Sequence, residues 1–197
     1  PSLYCTTIWE DLVNGLSALM RTINGLNRLI GNVFSWLALA IVIVCFWVVV
    51  ERYFFANTRL WMQDLYPWLN GVMFTAAAAY ALYHNDHVRV DIFYRPASNV
   101  KKAWMDLIGV IVFLLPTMFV VWTYCLTFVT RSWGLQEGSA NPGGAPGLFI
   151  VKGFILVFAV TVALQGISML IRSFLIIKGR EDLVPEDYRY EAHVEPA

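Results

Sequence analysis

The polar stretch HNDHVRVDIF, residues 84–93, stands between two long apolar runs and decides how the chain is arranged. The runs on its two sides cover residues 65–83 and 107–129, and two more cover residues 30–50 and 148–170. Each run is close to the roughly 20 residues that a helix needs to cross a bilayer. A polar segment between two such helices lies at a membrane surface, so it fixes the side on which the first helix ends and the next begins.

The composition of the chain favours the same class of protein. Of its 197 residues, 58% are hydrophobic and 14% are charged, whereas soluble domains have about 25% charged residues. A soluble protein with four buried helices would need more polar residues to coat them. We therefore predict an all-α membrane protein with four transmembrane helices, within a domain of residues 30–178, plus an N-terminal amphipathic helix over residues 1–29. The net charge of zero gives no basis for a nucleic-acid partner.

The N-terminal segment has an apolar stripe at helical spacing. Its members recur every three or four residues and are Trp9, Leu12, Leu16, Leu19, Ile23, Leu26 and Ile30. This spacing predicts an amphipathic helix that is too polar to span a membrane. Three placements stay open for it: in the headgroup plane, on a helix of a partner, or folded back on the chain's own bundle. In the first two placements, Leu16 and Ile23 would contact lipid or a partner.

The second apolar run contains Asn70 and the small residues Ala76–Ala79. Small residues allow another helix to approach closely where lipid provides no hydrophobic driving force. This helix is therefore expected inside the bundle or against a partner. An amide at membrane depth needs a hydrogen-bond partner, so we interpret Asn70 as a structural contact, with a place on a transport pathway as the alternative.

Two further segments follow from glycine, proline and charge. Residues 131–147, RSWGLQEGSANPGGAPG, predict a loop with tight turns before the fourth span, which has Lys152 in its first turn. Residues 179–197 are acidic and contain prolines, so we predict a mobile tail.

The distribution of basic residues predicts the orientation. With four spans, one side of the membrane would hold Arg21, Arg28, Arg89, Arg95, Lys101, Lys102, Arg172, Lys178 and Arg180. The other side would hold Arg52, Arg59, Arg131 and Lys152. Because cytoplasmic loops are enriched in Lys and Arg, both termini and residues 84–93 are expected in the cytoplasm, and the glycine-rich loop is expected outside.

Motifs for catalysis or cofactor binding are missing from the sequence. His84 and His87 lie three residues apart, but they have no HExxH or CxxC frame around them. The sequence also has neither a Walker loop nor the inverted repeats of a self-sufficient transporter. We therefore predict no catalytic, cofactor or metal residues, and expect a small helical subunit that assists another protein. The alternative is a cofactor-bearing electron-transfer membrane subunit that uses His84 and His87.

Several motifs together resemble the small membrane subunit of tripartite ATP-independent periplasmic (TRAP) transporters, the DctQ-like family. They are RYFF (residues 52–55), Trp61 and Leu65 before the small-residue span, HVRVDIF (87–93), EGS (137–139), PGGAPG (142–147) and Lys152. The resemblance covers about residues 30–178. At Gln63-Asp64 the sequence departs from the pair of acids that many members carry there, so no role is assigned to a second carboxylate at this point.

The resemblance implies a set of partners and a location. A large membrane subunit would carry the substrate and the sodium ions, a periplasmic binding protein would deliver an organic acid, and the small subunit would brace the large one in the bacterial inner membrane. No cofactor is expected in this chain. The residues expected to contact subunits or phospholipid are His87, Arg89, Asp91, Asn70, Arg52, Glu137, Lys152, Leu16 and Ile23. Arg89 would reach a lipid phosphate or pair with Asp86 or Asp91.

Overall fold

The structure is a computed structural model that describes residues 2–84, 94 and 96–190, with side chains from residue 8 onward. Its helices are α1 (Ser2–Ser35), α2 (Leu37–Phe54), α3 (Leu60–Tyr83), α4 (Asn99–Gly109), α5 (Leu115–Gly134) and α6 (Leu148–Ile177). A π-helical turn, Val110–Leu114, joins α4 to α5, and two 3-10 turns follow α6 at Glu181–Leu183 and Glu186–Tyr188. The described residues contain no strand, so the all-α prediction is confirmed for this part of the chain.

Three helical stretches among the described residues are long and apolar enough to cross a membrane. They are Ile8–Phe54, Asn99–Gly134 and Leu148–Ile177, and they contain the first, third and fourth predicted spans. Helix α3 is not among them, because Gln63, Asp64 and Asn70, together with its tyrosines, tryptophans and proline, make it less apolar. Its 24 residues would measure about 36 Å at 1.5 Å per residue, enough for a hydrocarbon core of about 30 Å. A fourth crossing at α3 therefore stays a prediction.

The predicted boundary between an N-terminal helix and the first span, at residues 29 and 30, does not coincide with a helix end. Helix α1 continues to Ser35 and is separated from α2 by Trp36 alone. The Trp36 N–H donates to the Val33 carbonyl, and the Trp36 carbonyl accepts from both Leu39 and Ala40. The ladder thus shifts from a three-residue to a four-residue step at Trp36, and the chain runs on as helix.

Helices α3 and α6 form the centre of the bundle. Helix α6 packs against α1, α3, α4 and α5, and α2 packs against α3. The largest core cluster includes Val13 and Met20 of α1, Tyr83 of α3 and Leu175 of α6. The close contact between α1 and α3 needs glycine at position 31, because a Cβ there would overlap the ring of Tyr80.

The π-helical turn ends two residues before a proline. Pro116 has no N–H to donate, and its ring would clash with the carbonyl four residues earlier, that of Val112. A widened turn at Val110–Leu114 removes this clash and lets the helix continue from α4 into α5.

The prediction of a mobile tail from residue 179 is wrong for residues 179–190. Val184 and Tyr188 are each 1% exposed, and Tyr190 is 8% exposed. All three belong to the core cluster that joins α1, α3 and α6. The acidic composition suggested disorder, but these apolar and aromatic side chains anchor the segment to the bundle. Residues 191–197 lie outside the described residues.

Candidate subunit interface

Helix α1 turns a mixed polar face toward the bundle. Besides Ile23, the buried residues along it are Val13, Ser17, Met20, Asn24, Asn27 and Gly31, at alternating steps of four and three. This spacing defines one face of a helix. Among the three placements left open by the sequence, the structure has α1 folded on the chain's own bundle.

The apolar side chains of α1 remain largely outside. Six apolar residues of α1 are 45–68% exposed, and we call them the apolar ridge: Ile8, Leu12, Leu19, Leu26, Leu29 and Val33. The prediction that Ile23 contacts lipid or a partner is corrected, since Ile23 is 5% exposed and belongs to the chain's own core. Leu16 is half-buried against the same core. The residues of the predicted stripe that can contact lipid or a partner are therefore Leu12, Leu19 and Leu26.

A polar seam joins α1 to α6 just past the middle of α6. The Nδ2 of Asn27 donates to Oε1 of Gln165 at 2.8 Å. The Nε2 of Gln165 donates to Oδ1 of Asn24 at 3.2 Å, and the same oxygen accepts from Ser168 Oγ at 2.6 Å. Asn24 and Asn27 are 5% and 1% exposed, and Gln165 and Ser168 are fully buried. We call these four residues the polar seam.

One turn further along α6, Arg172 is buried in a cage of acidic and aromatic groups. Its side chain is 0% exposed, and its Nη2 donates to Asp106 Oδ2 at 2.7 Å. The rings of Tyr188 and Tyr190 lie 4.4 and 4.5 Å from the guanidinium carbon. The hydroxyl of Tyr190 donates to the same carboxylate at 2.7 Å, and that of Tyr94 does so at 3.2 Å. Burial raises the pKa of Tyr190 above the usual range, so its phenol stays protonated and donates.

The tail also ties α1 to the end of α3. The Asp187 carboxylate accepts from the Tyr83 hydroxyl at 2.6 Å and pairs with Arg28. The hydrogen bond from Tyr83, followed by the one from Arg28, holds the pKa of Asp187 below its ordinary value. Residues 181–190 thus contact α1, α3, α4 and α6, and they join these helices at the end of the bundle where α3 and α6 end.

On the opposite end of the bundle, Asp64 organises the glycine-rich loop. Its Oδ1 accepts from Asn141 Nδ2 at 2.9 Å, and its Oδ2 accepts from the Ala145 N–H at 3.1 Å. Ser139 adds a side-chain hydrogen bond. Glycine is required at position 144, because a Cβ there would overlap the Asp64 carboxylate. A single carboxylate at the start of α3 therefore fastens a loop that lies more than 70 residues later in the chain.

Glu137 and Lys152, two of the predicted contact residues, bind each other. Glu137 Oε2 accepts from Lys152 Nζ at 2.5 Å and from Ser132 Oγ at 2.7 Å. The Lys152 ammonium, followed by the Ser132 hydroxyl, holds the pKa of Glu137 below its ordinary value of 4.5. This pair joins the loop to the start of α6, so both side chains have a role within the chain.

A groove between α2 and α3, beside the end of α1, is lined mainly by small residues. It has a volume of about 370 Å³, and its walls are formed by Ser35, Ala38, Met73, Phe74, Ala77, Ala78 and Ala81. Asn70 lies one turn before Phe74 on an exposed part of α3. Its side-chain amide makes no hydrogen bond to any part of the chain that the structure describes. The predicted hydrogen-bond partner of Asn70 is thus not found in the described chain.

The remaining predicted residues fall into two groups. Arg52 is exposed in the last turn of α2, where its charge opposes the negative end of the helix dipole. His87, Arg89 and Asp91 lie outside the described residues. His84 is described, and its ring packs edge-on against Tyr80 and Tyr83 at centroid distances of 4.5 and 4.8 Å.

Sequence reasoning missed the polar seam and the Arg172 cage. A signal was present in the fourth span, where Thr161, Gln165, Ser168 and Arg172 follow at steps of four, three and four. This is a polar stripe on one face of an otherwise apolar helix. It predicts that this face is buried against protein, because a polar stripe facing lipid would be costly.

One family model matches most of the chain. The family model described as "Tripartite ATP-independent periplasmic transporters, DctQ component" matches residues 41–175, which is more than half of the chain. The matched region begins within α2 and ends in the last turn of α6, and it includes both Asp64 and Arg172. No curated protein and no solved structure matches the chain.

Proposed function

The chain belongs to the DctQ component family of the TRAP transporters, and from this membership we propose that it braces the large membrane subunit of a sodium-coupled transporter. Members of this family are non-enzymatic, multi-pass membrane components, and the tripartite system implies further TRAP components as partners. The family match favours this function over the electron-transfer alternative. In the proposed complex, a periplasmic binding protein delivers an organic acid, and the large subunit holds both the substrate and the sodium ions.

The observation that carries the proposal is the exposed amide of Asn70 beside the groove between α2 and α3. An amide that faces lipid leaves its donors and acceptor unpaired, which costs free energy. A neighbouring helix removes this cost if it supplies a polar side chain or a backbone group. The alanines that line the groove allow such a helix to come close. We therefore place the large subunit against this groove.

Two other surfaces support an accessory role. The apolar ridge of α1 is too extensive to be left in water, so it faces the membrane interface or the large subunit. The glycine-rich loop is fastened by Asp64 and by the Glu137–Lys152 pair. If both termini are cytoplasmic, as the distribution of basic residues predicts, this loop presents a fixed surface on the periplasmic side.

Co-purification with the large subunit tests the proposal. We expect Asn70→Leu and Ala81→Phe to lower the recovery of the large subunit, because the first removes the amide and the second fills the groove. Hydrogen bonds between membrane helices are worth about 0.6 kcal/mol on average, so Asn70→Leu should weaken association about threefold, and the bulky change should weaken it more.

Matched controls lie on α5. Thr123→Val removes an exposed polar group that bonds to the carbonyls of its own helix, and Val120→Phe adds bulk at an exposed position. Both controls should leave recovery unchanged. Equal recovery in the two α3 variants and the wild type, or a loss seen with the α5 variants alone, would show that the large subunit binds elsewhere.

A further inference from the structure

Helix α1 has an unusual distribution of side chains for an amphipathic helix. Leu12, Leu19, Leu26 and Leu29 belong to the exposed ridge, while Asn24 and Asn27 are buried against α6. The contact face thus depends on a small number of directional hydrogen bonds, and not on apolar packing alone. Such a contact restricts the position of α1 more than apolar packing does, because each hydrogen bond needs a particular pair of atoms.

Apolar packing by itself specifies the position of a helix weakly. A helix can slide by one turn, about 5.4 Å, and still place similar side chains in similar grooves. Buried amides forbid this freedom, because a slide would strand their donors and acceptors away from water. A single buried asparagine has this effect on register in coiled coils.

The polar seam meets this requirement. Gln165 bonds to Asn27 through its oxygen and to Asn24 through its nitrogen, so it contacts two successive turns of α1. Ser168 contacts Asn24 from the next turn of α6. A displacement of α1 by one turn would break all three bonds. Gln165 also donates to the Tyr188 hydroxyl at 2.9 Å, which connects the position of α1 to that of the tail.

We propose that Gln165, together with Asn24 and Asn27, is a positioning set that fixes the axial register and the rotation of α1 and so aims the apolar ridge. The ridge lies on the other side of α1 from these asparagines, and a shift or rotation of α1 would turn its leucines away from their present direction. The statement about register stands on the chain alone. The statement that the ridge is aimed at the large subunit rests on the proposed function.

Distances between two spin labels on the full-length chain test the register. Labels are placed at Ala18→Cys on α1 and Val160→Cys on α6, both exposed, in a chain whose native cysteines are replaced by serine. Counted from the Asn24–Ser168 contact, these positions lie roughly 20 Å apart along the helix axes. A slide of one turn would therefore change the measured distance by about 5 Å.

We expect one distance population in the parent chain and, in Gln165→Leu, a second population displaced by about 5 Å. Thr161→Val is the matched control on the same face of α6, because the Thr161 hydroxyl bonds to the Val157 carbonyl of its own helix. It should keep the parent distance. The exchange Asn27→Gln with Gln165→Asn keeps a complementary amide pair and should restore a single population.

A parent-like single distance in Gln165→Leu would overturn the proposal. If that variant does not fold, the exchange variant decides: a single parent-like distance supports the pairing, and a displaced or broad distribution overturns it. Recovery of the large subunit, measured on the same variants, tests the aiming of the ridge separately. Recovery should fall where the register slips, and unchanged recovery despite a slip would overturn that role while the register result stands.

Discussion

Substitution of Asp106 gives the sharpest test of the core at the C-terminal end of α6. Asp106→Ala removes the carboxylate that accepts from Arg172, Tyr190 and Tyr94. The Arg172 side chain is 0% exposed and that of Asp106 is 10% exposed, so water screens the pair little. The variant leaves the guanidinium buried without its counter-charge.

The expected loss follows from this burial. Removing one partner of a buried ion pair costs about 3–5 kcal/mol. For a chain of this size, 1 kcal/mol corresponds to about 2–4 °C in Tm. The midpoint of thermal unfolding should therefore fall by roughly 6–20 °C. By contrast, Asp182→Ala acts on a pair with Arg180 whose side chains are 64% and 33% exposed, and an exposed pair of this kind contributes about 0–1 kcal/mol.

Thermal unfolding of the purified chain in detergent, followed by tryptophan fluorescence and by the monodisperse fraction, measures both variants. A third variant, Asp106→Leu with Arg172→Met, removes both charges together and should regain most of the loss, since apolar replacement of a whole buried pair is often neutral. If Asp106→Ala lowers the midpoint no more than Asp182→Ala does, Arg172 is not buried as described and the account of this core fails.

Two further predictions concern the other surfaces. Leu19→Asp on the apolar ridge should lower recovery of the large subunit or of membrane-bound chain while the bundle stays folded. Ile23→Asp, by contrast, should unfold the bundle. Equal unfolding midpoints of the two variants in a thermal scan would contradict the assignment of faces on α1. Because the pKa of Glu137 is lowered in the folded chain, its pair with Lys152 stabilises the loop above the ordinary pKa of 4.5 and loses this effect as the pH falls through the lowered value. Limited proteolysis within residues 135–147 should thus increase in acid for the wild type. Glu137→Gln should be cleaved readily at neutral pH, and its cleavage should change little in acid. A wild-type loop whose cleavage does not depend on pH would refute the role of the Glu137–Lys152 pair.

The spans and the helical class could be predicted from the sequence because they depend on local composition. The apolar runs at 30–50, 107–129 and 148–170 contain a single charged residue, Lys152, over lengths that suit a bilayer, and the structure has apolar helices over each of them. The alternation of three and four residues in α1 likewise predicted a helix. These features are contained within short windows of sequence.

Features that depend on distant contacts could not be predicted in the same way. The stripe from Trp9 to Ile30 indicated an apolar face, but the partner of α1 is Gln165, which is 138 positions away from Asn27. Asp64 is likewise matched to Asn141 by folding alone. In the tail, a composition rich in acids outweighed Val184 and Tyr188, although these two side chains are almost fully buried. Composition reports the mean of a segment, whereas burial is decided by single side chains.

The most direct test of the central claim is a photo-crosslink from α3 to the large subunit. A photoreactive amino acid is introduced at Asn70 or, as the control, at Thr123 of α5, and the chain is expressed together with the large subunit and irradiated in cells. If the chain braces the large subunit through the groove between α2 and α3, the adduct forms from position 70 and not from position 123. An adduct from position 123 with none from position 70 would contradict this claim.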